Sequence, residues 1–175
     1  MNFNESVLDE QLEILKSFLC HYSSFRYLNE KFDNLCRFGS QEFWKYTIDA
    51  HYFQSINLWC MIFGTDENEI HWKKLGLDGD LKPITLSNIE LSEKDYNLYW
   101  KSLKDWRNMY SAHRVPGFKE KTPDLKIARM VVFIMKTGLK GILMQSVSYS
   151  SLKLYEENFK EELNLSISTL LTASK

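Results

Sequence analysis

The chain has few cysteines, almost no net charge and no uninterrupted apolar run long enough to cross a bilayer. Its three cysteines, Cys20, Cys36 and Cys60, are odd in number and far apart. They offer no disulfide framework, and without a Cys-x-x-Cys pair they suggest no zinc site. Their apolar helical surroundings make them buried, inert thiols. The formal charge of −1 excludes a molecule-wide field that attracts polyanions, so any nucleic-acid contact has to come from a local patch. The most apolar stretch, residues 127–147, is interrupted by Arg129, Lys136 and Lys140 and reads as a buried helix, not a membrane span. The first residues lack the basic and apolar regions of a signal peptide, and the expected location is the cytoplasm. No alternating strand pattern, internal repeat or low-complexity tract is present.

What the chain does have is helical period. At 175 residues it is long enough for one domain with a proper core and too short to expect two. Leu8, Leu12, Leu15, Leu19 and Tyr22 recur at three- and four-residue steps, and Phe25, Leu28, Phe32 and Leu35 continue the stripe. Ser6 with Asp9 suits the start of this helix, and Ser23-Ser24 is where it would bend. Ser40 caps a second helix with a stripe of Trp44, Ile48, Tyr52, Ile56, Trp59 and Phe63, ended by Gly64. Acids at 66–69 open a short third helix that holds Trp72 and Leu75 and stops at Gly76. Residues 77–88, with Gly79 and Pro83, read as a loop. Ser92 with Asp95 opens a fourth helix, and Thr122-Pro123-Asp124 starts the next, which buries Ala128, Val131, Met135 and Ile142. A last helix carries Leu152, Tyr155, Phe159 and Leu163. The expectation is an all-α, single-domain bundle of about five to six helices over residues 1–165, with a frayed tail over 166–175.

The chemistry concentrates at the end of the fourth helix, in Trp106-Arg107-Asn108-Met109-Tyr110-Ser111-Ala112-His113-Arg114. Arginine presents a fixed fork of donors to phosphate oxygens. Histidine is the side chain that moves protons near neutral pH. Lys101, Lys104, Arg114, Lys119 and Lys121 surround the pair, offset only by Asp105 and Glu120. Such a patch would contact an RNA backbone, and it would equally be an ordinary solvated face. Tyr96, Tyr99, Leu103, Trp106, Tyr110 and His113 fall on one seam, so His113 also fits a core or interface position. On an ideal α-helix Arg107 and His113 lie about 120° apart. They meet at one phosphate only if the helix unwinds near Pro116 or a second copy completes the site.

Arg107-Asn108, followed by Ala112-His113, resembles the Arg-Asn-x-x-x-Ala-His form of the motif of HEPN domains, small helical proteins that include many metal-independent RNases. The runs Phe53-Gln54-Ser55-Ile56-Asn57-Leu58-Trp59, Ile62-Phe63-Gly64 and His71-Trp72-Lys73-Lys74-Leu75 are similar to the abortive-infection branch from bacterial phage defence. The likeness spans residues 44–142, and only the Arg-Asn…Ala-His element is diagnostic. It implies an endoribonuclease, a toxin or phage-defence effector, with RNA as substrate and a two-fold homodimer that sets both motifs across its interface. His113 would be general acid or base, Arg107 the phosphate clamp, and Asn108 a positioning group, with no metal and no cofactor. An antitoxin protein is an implied partner. Where related toxins carry a modifiable tyrosine two residues after the histidine, this chain has Val115.

Two alternatives stay open: a HEPN-like helical module that binds RNA, nucleotide or a partner without cutting, and a helical interaction module that pairs through its aromatic seam. His71 has acids at Glu67 and Glu69 but no second ligand histidine at useful spacing. His21 and His51 read as core-edge residues.

Overall fold

A computed structural model describes residues 4–76, 81–112, 115–117, 119–143 and 152–173. Among them every regular element is helical, as the periodicity predicts. The α-helices are α1 (Glu5–Glu30), α2 (Phe32–Leu35), α3 (Gln41–Phe63), α4 (Leu81–Asn88), α5 (Glu93–Trp106), α6 (Lys126–Leu143) and α7 (Leu152–Thr172). A 3₁₀ turn covers Trp72–Leu75, and a π-helical stretch over Arg107–Ala112 follows α5 directly. None of these helices is long and apolar enough to cross a membrane.

The helix starts follow their local chemistry. Asn4, not Ser6, caps α1, its Oδ1 accepting from the Val7 amide at 3.3 Å. α1 runs on without a break at Ser23-Ser24. Ser40 and Ser92 accept from the amides of Phe43 and Asp95, each at 3.1 Å, as N-caps of α3 and α5. The acids at 66–69 open no helix. His71 caps the turn that follows, its Nδ1 accepting from the Lys73 amide, and Gly76 closes it in the left-handed region at φ 72°. The expected loop over 77–88 contains α4 instead. Pro83 lies in its first turn, where an amide has no helical partner to lose.

Contacts gather the chain into two compact units, one of residues 1–15 with 56–149, the other of 16–55 with 150–175. In the first, Leu8, Trp59, Leu75, Leu103, Trp106, Ala128 and Met135 are buried. The Tyr99 hydroxyl accepts from the Ala128 amide at 3.0 Å and donates to the Asp124 carbonyl at 2.7 Å, which ties α5 to the start of α6. The Trp59 indole donates to the Ala128 carbonyl at 3.2 Å.

In the second unit Leu28, Leu35, Trp44 and Ile48 form a cluster on which Ile167 and Leu171 of α7 pack. The boundary expected at 165 therefore falls inside a helix, because the apolar stripe of α7 continues past it. Tyr155, expected in the core, is exposed, whereas Glu156 is buried. The Glu156 carboxylate accepts from Ser23 at 3.4 Å and pairs with Lys160 at 2.9 Å.

Burial holds His21, His51 and His71 below the ordinary histidine pKa of 6.5. All three are thus neutral in the folded chain near pH 7. As the pH drops past 6.5 the unfolded chain takes up protons first, so this stability is complete above that value and is lost toward the lower folded-state pKa values. Urea midpoints should therefore fall between about pH 7.5 and about pH 5.5. A flat or rising midpoint would contradict the neutral burial of these rings.

Candidate functional site

The sequence motif begins where α5 stops winding as an α-helix. From Arg107 to Ala112 the backbone is π-helical, a wide winding with i→i+5 bonding that is rare and concentrates at functional positions. The α-helical angle expected between Arg107 and His113 consequently does not apply. Beyond this stretch, the Val115 amide donates to the Met109 carbonyl at 3.0 Å. His113 and Arg114 lie outside the described residues.

α3 supplies the floor under this stretch. The Ser111 hydroxyl meets the Asn57 side-chain oxygen at 3.4 Å, and the Trp100 indole donates to the Phe63 carbonyl at 2.6 Å. Between these two tethers, one turn along α3 from Asn57, lies Cys60. Burial pushes its thiol up to about 11, against the pull of the Arg107 guanidinium beside it and, more weakly, of Lys104. Cys60 is inert at neutral pH, as expected, and it lies against the side chain proposed for phosphate. Asn57 and Cys60 were not read as site residues from the sequence. The available signal was their one-turn spacing on the polar edge of the α3 stripe.

The aromatic seam is used within the chain. Tyr96, Leu103 and Trp106 are buried, and the Trp106 and Tyr110 rings meet at a tilt of 37° with centroids 4.7 Å apart. These three seam residues therefore pack inside the chain, while Tyr99 and Tyr110 are half-buried. The apolar groups that α5 and its extension do expose are Leu98, Met109 and Val115.

Arg107 and Asn108 are half-buried, Lys104 is half-buried, and Lys101, Lys119 and Lys121 are exposed. Lys104 lies over the Trp100 ring, 4.0 Å from its centroid. Among the described residues, ion pairs engage Lys31, Lys73, Lys82, Lys126, Lys153 and Lys160, and none engages Lys101, Lys104, Arg107, Lys119 or Lys121. These cations thus have no carboxylate within ion-pairing distance among the described residues, in a chain of net charge −1. A groove of about 530 Å³ borders it, lined by Trp72, Lys73, Asn97, Trp100 and Lys104, while Arg107 and Asn108 lie outside that lining. Among the described residues no three His, Cys, Asp or Glu side chains gather around a possible metal position. No protein-family model, no curated protein and no solved structure matches the chain.

Trp106 and Arg107 are neighbours with opposite expected roles. Trp106 is 4% exposed, and its truncation to Ala should cost about 3–5 kcal/mol. Arg107→Ala removes a half-buried side chain that has no acidic partner among the described residues and should cost about 1 kcal/mol or less. Denaturant titration of the two variants checks this. Equal losses would make Arg107 a structural residue.

Proposed function

We propose that the chain is a metal-independent endoribonuclease of HEPN type, with Arg107, Asn108 and His113 as its working residues. The observation that carries this reading is the π-helical stretch beginning at Arg107, which holds a half-buried guanidinium free of any carboxylate among the described residues. A cation without a counter-ion favours an incoming phosphate, because binding breaks no existing ion pair. Lys101, Lys104, Lys119 and Lys121 supply the surrounding positive field for the RNA backbone, and Arg114 is assigned the same role from its place in the motif. The resemblance of Arg-Asn-x-x-x-Ala-His to the HEPN motif supplies the reaction class.

In that reaction the RNA 2′-hydroxyl loses its proton and bonds to the adjacent phosphorus. The bond to the 5′-oxygen breaks, that oxygen leaves with a proton, and a 2′,3′-cyclic phosphate remains. His113 handles one of the two proton transfers, as general base or general acid. Arg107 neutralises the phosphoryl oxygens as their charge rises in the transition state. Asn108 orients substrate or the imidazole. The working unit in this reading is a homodimer, acting in the cytoplasm as a toxin or phage-defence effector and restrained by an antitoxin protein. Its interface would use the exposed Leu98, Met109 and Val115 in place of the buried seam. The second reading, a HEPN-like module that binds RNA without cutting, rests on the same unpaired cations and needs no proton transfer.

Purified protein should cleave single-stranded RNA in the presence of EDTA and leave DNA intact, because DNA lacks the attacking hydroxyl. His113→Ala and Arg107→Ala should each lower the rate by about 10²–10⁴-fold with the circular dichroism unchanged. Cleavage persisting in both folded variants would sink the assignment. RNA binding by an inactive parent would select the second reading. Sedimentation should show a dimer at tens of micromolar, an order-of-magnitude concentration for a stable self-association, and a monomer there would remove the shared site.

A further inference from the structure

The groove beside the motif is not used by the proposed proton transfers. It lies within the first compact unit, and its volume of about 530 Å³ falls in the range of small-ligand pockets. Two indoles line it, Trp72 on the 3₁₀ turn and Trp100 on α5, and both are half-buried. Each ring is steadied from behind. The Trp100 indole donates to the Phe63 carbonyl at 2.6 Å, and Trp72 meets the buried His71 ring with centroids 5.6 Å apart. Three lysines also line the groove. Lys73 is paired with Asp66 at 3.2 Å and Lys82 with Glu93 at 2.7 Å. Lys104 has no carboxylate within ion-pairing distance among the described residues. We propose that this groove is a subsite for one unpaired nucleotide of the RNA chain, its base on the indoles and its phosphate at Lys104.

The chemistry of the lining selects this ligand. Every base presents a flat π-face, so bases stack on aromatic side chains whatever their sequence. Indoles offer a large face, and rings already held in place lose little freedom on binding. An acidic peptide would use Lys104 and leave both indoles unmatched, and an apolar ligand would strand the Lys104 ammonium away from water. The ammonium lies 4.0 Å from the centroid of the Trp100 ring. Charge and stacking surface are therefore adjacent, as phosphate and base are within a nucleotide. In the free chain the ammonium covers one face of that ring. A charge-assisted bond to phosphate is the stronger interaction, and it draws the ammonium off the ring and frees that face for the base. Asn97, an exposed lining residue, has both a donor and an acceptor for a base edge. Lys104 precedes Arg107 by three positions, the spacing of neighbours on a helix surface, so the subsite adjoins the cation assigned to the scissile phosphate. The inference rests on the RNA reading of this face and adds to it the place of a neighbouring nucleotide.

A 2′-O-methyl oligoribonucleotide of about ten nucleotides, within the span of single-strand sites, tests the subsite. It cannot be cleaved, because its 2′-oxygen has no proton to lose. The full-length chain should bind it saturably. The indole N–H resonances of Trp72 and Trp100 should shift, while those of the buried Trp59 and Trp106 stay in place, a readout that needs no variant. The same oligomer made of abasic sugars should bind about 5–150-fold more weakly, the usual worth of one base–aromatic stack. Trp72→Leu should weaken binding of the normal oligomer and leave that of the abasic one unchanged. Equal binding of normal and abasic oligomers would overturn the proposal, since the groove would then contribute charge alone. Unshifted Trp72 and Trp100 resonances at saturation would overturn it as well. So would a nucleoside monophosphate that competes as well as the oligomer, because the groove would then serve a free nucleotide. Stacking by a chain that cuts no RNA would keep the subsite and end the nuclease reading. Cleavage by a chain that binds normal and abasic oligomers alike would do the reverse.

Discussion

A helix keeps the wide winding of a π stretch only where side chains on its flanks hold it there, and the region after Trp106 depends on that restraint. On one flank Ser111 meets Asn57 of α3. On the other, the Trp106 ring is buried and lies tilted against Tyr110. Arg107 lies beside the Cys60 thiol. Relaxation to an α-helix would pull every later residue back along the helix and rotate it by about 100° per residue of register. The positions of Asn108 and of the chain entering Pro116 thus follow from contacts made by α3, a helix that carries none of the motif.

Polar groups placed inside each unit set the positions of neighbouring helices. In the first unit the Gln11 amide donates to the carbonyls of Ile70 and His71 at 3.1 and 3.2 Å, anchoring the turn before Trp72 to α1. Trp59 and Tyr99 both engage the first turn of α6, so the same backbone groups locate α3 and α5. In the second unit the buried Glu156 carboxylate is served by Ser23 and Lys160. Such bonds add little net stability, but leaving one partner unpaired in the interior is costly, so they penalise any shift in register.

Apolar spacing made most helices legible, because α1, α3, α5 and α7 each carry apolar residues at three- and four-residue steps. It missed α4, where a proline in the first turn resembles a loop signal and only Thr85 is buried. It placed Tyr155 inside in preference to Glu156, since hydropathy rejects a buried carboxylate whose partners lie on another helix. The composition of the candidate site was readable, and its shape was not. Asn57 and Cys60 reach Arg107 and Ser111 only after α3 and α5 have packed. The same limit hid the pairing of His21 with His51, which are 30 residues apart and meet across two helices. The change from α to π winding leaves no mark in the spacing of Trp106 and Tyr110, because a four-residue step suits both.

The cations along α5 and its extension differ in how firmly they are held, and this matters more to an anionic ligand than their number. Lys104 rests on the Trp100 ring at 4.0 Å, and Arg107 lies half-buried beside a thiol, so both have already lost much of their rotamer freedom in the free protein. Lys101, Lys119 and Lys121 are exposed and retain theirs. A phosphate that meets Arg107 and Lys104 finds charges whose ordering cost was met during folding, whereas each exposed lysine loses about 0.5–1.5 kcal/mol when immobilised. Salt separates the two sets as well. At about 0.15 M ionic strength fields decay over about 8 Å, which weakens the exposed lysines more than the sheltered pair. The face therefore combines a short, preorganised contact at Arg107 and Lys104 with a broader field that acts on approach, and only the first is shaped by the packing of α3 against α5.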